Sequence, residues 1–340
     1  MNDAAQALAR GRERTAMGVT LRSLASPRLT LTGFALLALA VWATANDTRV
    51  SSAWLALPAL WLALNLLAAM VTHRALRRGG LGLFHAALLA AMLIAVWGRL
   101  HHFEGRVELV QGAELTAAAI EPTSIGPLND AAWRRLQFEQ GPWRVHYAPG
   151  VRRAQTLSQV RSGGQALSVG DTEPLVLQGH RFYTTHNKGF APLLRWQAAA
   201  GGDAIVGAIH LPSYPLFDWK QEQHWRTPDG TELRLWLRPD AKPDERRAYV
   251  LAPDSMAATL VVELQGQRVE LRAGESVSVA AGTLRFERLL GWMGYRVHFD
   301  PALQPLLAIA LLGVAGLAWH LWGRRLQQRQ TARAARRVTQ

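Results

Sequence analysis

The sequence contains no cysteine. A chain without thiols forms no disulfide, performs no thiol–disulfide exchange and offers no thiolate ligand to a metal ion. Any redox chemistry associated with this protein must therefore come from a partner or from a bound group.

The sequence also lacks the motifs of common soluble enzymes. The histidines of its polar middle show no HxH, HxxxH or HExxH spacing, which argues against a zinc site. No glycine-rich phosphate loop precedes a predicted helix, and no GxSxG motif is present. Acidic residues are scattered, so no acid–base pair can be assigned. We therefore assign no catalytic residue and do not expect catalysis by this chain alone.

Four long apolar runs stand out against these absences. They predict helices at about residues 29–46, 53–72, 81–98 and 303–322. A helix of about 20 apolar residues is long enough to cross the hydrocarbon core of a bilayer. The predicted order is a tail at 1–28, three transmembrane helices within 29–98, a β-rich domain at 99–302, a fourth transmembrane helix at 303–322 and a basic tail at 323–340.

Positive charge is concentrated at three places along the chain. Of the net charge of +13, residues 1–28 carry +3, residues 73–80 carry +3 and residues 323–340 carry +6. The remainder is close to neutral, so no large basic face is available for a nucleic acid. Basic segments that flank apolar helices are typical of cytoplasmic ends. We expect both termini to lie in the cytoplasm and residues 99–302 to lie outside.

The polar middle has the pattern of an all-β domain. Residues 224–237 and 259–270 each predict a hairpin, with turns at Asp229-Gly230 and Gln265-Gly266. Helical signal is weak apart from one turn near residues 130–136. We expect a sandwich or open barrel whose first and last strands are adjacent, because helices 3 and 4 hold both ends at one membrane surface. In helix 2, Pro58 is expected to cause a kink.

Two histidines fall within the predicted spans. At 1.5 Å per residue, His85 lies roughly 6 Å and His320 roughly 3 Å from the cytoplasmic end of its helix. Ionisable residues inside a span are rare and need a partner. Each imidazole could reach a lipid headgroup at the interface, or at least one could bind a metal or haem iron. A second group, His101, His102 and His298, is expected near the outer interface. Polar residues are ordinary at helix ends there, and a ligand role is the alternative.

Five stretches of the sequence carry a family resemblance. They are FEGRVELVQG at 103–112, Gly126-Pro127-Leu128, YAPG at 147–150 with Ser158 downstream, Pro174-Leu175 with Gly179 and Phe182-Tyr183, and GWMGYRVHFDP at 291–301. In this order, and joined to three helices, an outer domain and a final helix, they resemble the ResB family (also called CcsB) of System II cytochrome c biogenesis. The likeness covers about residues 26–323.

The resemblance implies a multi-pass protein of the bacterial inner membrane whose domain at 99–302 is periplasmic. It also implies a role in carrying haem across that membrane and presenting it for covalent attachment to apocytochrome c. Haem b would be transient cargo, and the partner would be a CcsA-type haem-handling membrane protein on a separate polypeptide. His85 matches the family's helix-3 histidine, which implies an axial ligand to haem iron, and His320 is a second candidate. The alternative is a membrane-anchored β-domain scaffold that binds no haem itself.

Overall fold

A computed structural model describes residues 21–47, 50–214, 221–227, 230–264 and 266–338. Its described residues include four helices that are long and apolar enough to cross a membrane. A large all-β region lies between the third and fourth of them, which confirms the predicted fold class. The helices are α1 (Pro27–Asn46), α2 (Ala56–Thr72), α3 (Gly79–His101) and α4 (Leu303–Val338).

Two helix boundaries differ from the sequence-based expectation. Pro58 does not kink the interior of α2, because it lies in the first turn, directly after a 3-10 turn at Ser52–Leu55. A proline is tolerated there, since first-turn N–H groups have no intrahelical acceptor. Helix α4 continues to Val338 instead of ending at Trp322. The apolar run marks the membrane, whereas the following Arg-, Gln- and Ala-rich segment favours helix regardless of hydropathy.

The chain divides into two compact units. The helical unit comprises residues 21–47, 50–102, 124–130 and 300–338 of the described chain, and the β unit comprises 103–123 and the described residues of 131–299. The short segment 124–130 thus belongs with the helices, although it lies far from them in sequence order.

Small residues bring α3 and α4 together along their length. At one end a Cβ atom added to Gly98 would lie 2.5 Å from the Ala302 Cβ atom. Near the other end, a Cβ on Gly316 would lie 2.8 Å from the Phe84 backbone nitrogen, and one on Gly80 would lie 2.5 Å from the His320 nitrogen. Close backbone approach through small residues is a usual way to pack helices in membranes, where the hydrophobic effect does not drive association.

A buried asparagine fastens α2 to the start of α1. The Asn65 side chain donates to the Leu24 carbonyl oxygen at 2.6 Å and accepts a hydrogen bond from the Thr30 hydroxyl at 2.7 Å. A polar side chain within a predicted span is costly unless it is satisfied. These bonds satisfy Asn65 and fix the relative position of the two helices.

The β unit is built from 15 strands and contains no long helix among its described residues. The strands are β1 (Phe103–Val110), β2 (Glu121–Ile125), β3 (Glu139–Ala148), β4 (Arg152–Ser162), β5 (Gln165–Gly170), β6 (Leu175–Leu177), β7 (His180–Ala198), β8 (Ile205–Ala208), β9 (Gln221–Arg226), β10 (Glu232–Pro239), β11 (Tyr249–Leu251), β12 (Ala258–Leu264), β13 (Gln267–Leu271), β14 (Ser276–Val279) and β15 (Gly282–Phe299).

The strands form one seven-stranded and two four-stranded sheets. The large sheet has the order β2-β1-β15-β7-β6, with β14 also paired to β15 and β8 to β7. The smaller sheets have the orders β13-β12-β10-β9 and β11-β3-β4-β5. Side chains from all three sheets, among them Val145, Phe182 and Leu235, are fully buried in one core. Burial of this shared apolar surface is the main force that holds the sheets together.

Three expectations about strand pairing are confirmed. The first and last strands are neighbours: β1 pairs antiparallel with β15, and Phe103 lies opposite Phe299. The two predicted hairpins exist as the antiparallel pairs β9–β10 and β12–β13. The predicted turn residues Asp229 and Gln265 lie outside the described residues. The predicted single turn near 130–136 is a 3-10 turn at Ala132–Arg135.

Candidate functional site

His85 lies six residues after the start of α3, roughly 9 Å along the helix axis at 1.5 Å per residue. This depth exceeds the sequence-based value, because α3 begins two residues earlier than expected. Its Nδ1 atom lies 2.8 Å from the Leu81 carbonyl oxygen, one helical turn back. A carbonyl only accepts, so Nδ1 carries the proton and donates this bond.

This hydrogen bond determines which His85 nitrogen is available. In a neutral imidazole with a proton on Nδ1, Nε2 keeps its lone pair. Nε2 has no hydrogen-bond partner within the described part of the chain. Histidines that bind metals commonly donate their other ring nitrogen to a carbonyl or carboxylate, which orients the ring. The half-buried His85 therefore has the tautomer and orientation that a metal-binding imidazole needs.

The surroundings of His85 are apolar. The Phe84 ring lies edge-on to the imidazole, with 5.4 Å between ring centroids. Leu81, Leu88 and Leu89 occupy i±3 and i±4 positions on the same side of α3, and each is at least partly exposed at the helix surface. A flat apolar molecule could lie against such a surface with its metal facing Nε2.

His320 is half-buried and lies at a different depth from His85. Its backbone nitrogen is level with Gly80, and Gly80 lies five residues before His85 on α3. At 1.5 Å per residue this separates the two histidines by roughly 7.5 Å along the helix axis. Because α4 continues past His320, this residue is in mid-helix and not near a helix end as the sequence had suggested.

The second histidine group serves structural roles where its contacts are described. His102 is 1% exposed. Its Nδ1 donates to the Arg99 carbonyl oxygen at 2.7 Å, and its Nε2 accepts from the hydroxyls of Ser124 at 2.7 Å and Ser52 at 3.1 Å. Both ring nitrogens are thus engaged. In the helical unit, His101 Nδ1 donates to the Trp97 carbonyl oxygen at 2.9 Å. In the β unit, His298 Nδ1 lies 3.6 Å from a carboxylate oxygen of Glu104.

The stretch Gly126–Asn129 caps the C-terminal end of α3. The last carbonyls of a helix lack intrahelical donors and must be satisfied from outside. The Leu128 N–H donates to the Leu100 carbonyl oxygen at 2.8 Å, and the Gly126 N–H donates to the His102 carbonyl oxygen at 2.9 Å. The Asn129 side-chain amide donates to the His101 carbonyl oxygen at 2.8 Å. The Gly126-Pro127-Leu128 stretch, which helped to suggest the family, therefore has a structural role that its sequence did not reveal.

We expect Gly126→Ala to destabilise the protein. An added Cβ would overlap the Leu100 carbonyl oxygen, which is backbone and cannot rotate away. Such overpacking costs about 1–3 kcal/mol. The measurement is the thermal unfolding temperature and membrane yield of the full chain. Gly207→Ala is the matched control, because no heavy atom lies within 4 Å of a Cβ there. Equal losses in both variants, or no loss in Gly126→Ala, would contradict the capping role.

A closed ring of three hydrogen bonds lies in the core of the β unit. The Gln140 amide donates to the Ser158 hydroxyl at 2.8 Å, Ser158 donates to the Tyr295 hydroxyl at 2.6 Å, and Tyr295 donates to the Gln140 carbonyl at 2.6 Å. All three residues are at most 1% exposed. Burial raises the pKa of Tyr295 to about 12, so the hydroxyl stays protonated. Ser158 and Tyr295 belong to two of the family-like stretches. Their hydrogen bond joins these stretches in the core, which is a structural role and not a catalytic one.

Lys188 is a buried amine in the middle of β7. It is 1% exposed, and its Nζ atom donates one long hydrogen bond, 3.4 Å, to the His186 carbonyl oxygen. It also lies 5.8 Å from the centroid of the Tyr147 ring. Burial, followed by repulsion from Arg153, lowers the pKa of Lys188 to about 8, while Asp171 opposes this shift. No feature of the sequence indicated that this lysine would be buried.

Nothing in the described part of the chain forms a preassembled metal centre of three or more His, Asp or Glu side chains. Among the histidines of the β unit, the exposed His186 has a lowered pKa. The main cause is the positive charge of Arg153, and burial and Lys188 make smaller contributions.

Comparison with known proteins finds a relative among the cytochrome c biogenesis proteins. No family model matches the chain. It is 27% identical over 268 residues to the cytochrome c biogenesis protein CcsB of Synechococcus sp. (strain JA-3-3Ab). The chain is thus similar to a CcsB. The match covers 70% of this chain and 51% of that CcsB, so the chain spans about half the length of its relative. With four apolar helices, the likeness to CcsB indicates a multi-pass membrane protein.

Proposed function

We propose that this protein is a component of a cytochrome c maturation complex that helps to carry haem across the membrane and present it to apocytochrome c. The similarity to CcsB supports a role in cytochrome c biogenesis, and the geometry of His85 supports haem as the cargo. The chain has no thiol and no assigned catalytic residue, so its contribution is to bind and position haem. Attachment itself is the addition of two apocytochrome thiols to the haem vinyl groups.

The observation on which the proposal depends is the Nδ1 hydrogen bond of His85. In the neutral imidazole this bond leaves the Nε2 lone pair available in an apolar environment, where a polar atom gains from acquiring a partner. A porphyrin against the leucine-rich side of α3 would cover apolar surface while its iron bound Nε2. Haem iron in proteins is often held by an axial histidine.

The second axial ligand is proposed to come from the CcsA-type partner. The axial offset of about 7.5 Å between His85 and His320 is more than one helical turn. On the basis of this offset we assign the second ligand to the partner. The two histidines would then act separately, with His320 of secondary importance for haem.

The test is to purify the full chain in detergent, alone and together with a CcsA-type partner, and to measure haem by the pyridine haemochrome assay. We expect a Soret band and stoichiometric haem b in the joint preparation. A joint preparation without haem would instead favour the scaffold function.

The proposal includes an orientation, for which the charge distribution gives a direct prediction. Reporter fusions after Gly80 and after Arg325 should report the cytoplasm, and a fusion near Gly202 should report the periplasm, because arginines are retained on the cytoplasmic side. Dual reporters, active only on opposite sides, make each position its own control. A cytoplasmic signal at Gly202 would overturn the proposed topology.

A further inference from the structure

A groove of about 420 Å³ opens between the four helices in the half of the bundle where α3 ends. Small alanines create it: Ala59 on α2 and Ala91 and Ala95 on α3. Phe34 of α1 and Leu306 of α4 also line it, and Arg99 is its one charged lining residue among those described. None of these residues belongs to the candidate haem site.

The groove has the length of one half of a bilayer. From Ala91 to Arg99 the α3 axis rises by roughly 12 Å at 1.5 Å per residue. One leaflet of a hydrocarbon core about 30 Å thick is roughly 15 Å deep. An apolar slot therefore runs from near the middle of the membrane to a positive charge at the end of α3.

The guanidinium of Arg99 has spare donor capacity. Its nearest anion is the Asp300 carboxylate at 3.9 Å, which is beyond hydrogen-bond distance. That carboxylate already accepts the Ala302 N–H at 2.9 Å and so caps the start of α4. Within the described residues no acceptor takes a hydrogen bond from the Arg99 side chain. Arginine presents five N–H donors and pairs well with phosphate.

We infer that this groove binds one phospholipid, whose acyl chain fills the alanine-lined slot and whose phosphate binds Arg99. Lipid is the solvent of these helices, and an arginine guanidinium pairs well with a phosphate. A single positive charge at the mouth of an apolar slot complements an anionic headgroup on an apolar chain.

The test is native mass spectrometry of the full chain released from vesicles of equal parts phosphatidylglycerol and phosphatidylcholine. The wild type should retain one phospholipid and prefer phosphatidylglycerol about fivefold, the effect of one basic residue near a membrane surface. Arg99→Gln should abolish the preference, whereas Arg99→Lys should keep it. Ala95→Leu should abolish retention by filling the slot.

Two matched controls complete the experiment. Ala86→Leu adds the same atoms at an exposed position of α3, and Arg74→Gln removes a charge at the opposite membrane surface; both should behave as wild type. Equal retention of the two lipids by the wild type would overturn the inference, as would unchanged retention in Ala95→Leu or a retained mass equal to a porphyrin. Haem content should be unchanged in Ala95→Leu, which separates this inference from the proposed function.

Discussion

Replacing His85 by alanine should strongly reduce haem content and cytochrome c maturation while the protein still accumulates in the membrane. The variant loses the nitrogen proposed to bind iron, but no hydrogen bond other than that to its own helix. Loss of a partner that merely orients a metal ligand already costs about 10- to 100-fold in affinity, so loss of the ligand should cost at least as much. The measurement is haem per chain in the joint preparation with the partner.

Three comparisons make this result specific. His73→Ala removes an exposed histidine after α2 and should leave haem unchanged. His320→Ala should reduce haem less than His85→Ala. Added imidazole should partly restore haem to His85→Ala if only a ligand was lost. Normal haem and maturation in His85→Ala would remove the ligand assignment and favour a scaffold.

Replacing Lys188 by methionine should stabilise the β unit. The pKa of Lys188 falls from 10.5 to about 8 on folding. At 1.36 kcal/mol per pKa unit, its charge costs about 3 kcal/mol near pH 7. For a domain of this size the unfolding temperature should rise by about 6–12 °C, measured by tryptophan fluorescence of the full chain in detergent.

The gain should depend on pH in a defined direction. Between pH 8 and 10.5 the folded protein has released the Lys188 proton while the unfolded chain still holds it, so wild-type stability rises with pH. The advantage of Lys188→Met should therefore be complete below pH 8 and vanish above 10.5. Lys242→Met removes an exposed lysine and should change neither the unfolding temperature nor its dependence on pH. A destabilised Lys188→Met protein would instead mean that the amine makes essential contacts.

Hydropathy and charge predicted the helices and the all-β region because both report on the solvent around the chain. They could not predict where α4 ends, since the apolar run stops at the membrane surface while helix propensity does not. Turn residues indicated the β9–β10 and β12–β13 hairpins, which are local. The partners of the long strands β7 and β15 were harder to predict, because long-range pairing depends on packing across the whole unit.

The candidate site was predictable only in part. His85 was identifiable from its depth in an apolar run, but its tautomer depends on a carbonyl one turn away. The sequence did not distinguish His102, because its Nε2 atom is satisfied by two serines that are distant in the chain. Lys188 has an ordinary sequence context, and its buried position opposite Met293, next to a register shift between β7 and β15, depends on long-range pairing.

The most direct test of the proposed role is to delete the gene in its host and measure covalently bound haem in c-type cytochromes by haem staining of denatured membranes. Loss of the stained bands is expected, with full restoration by the wild type, restoration by His73→Ala and little restoration by His85→Ala. Undiminished covalent haem in the deletion strain would contradict a role in cytochrome c maturation.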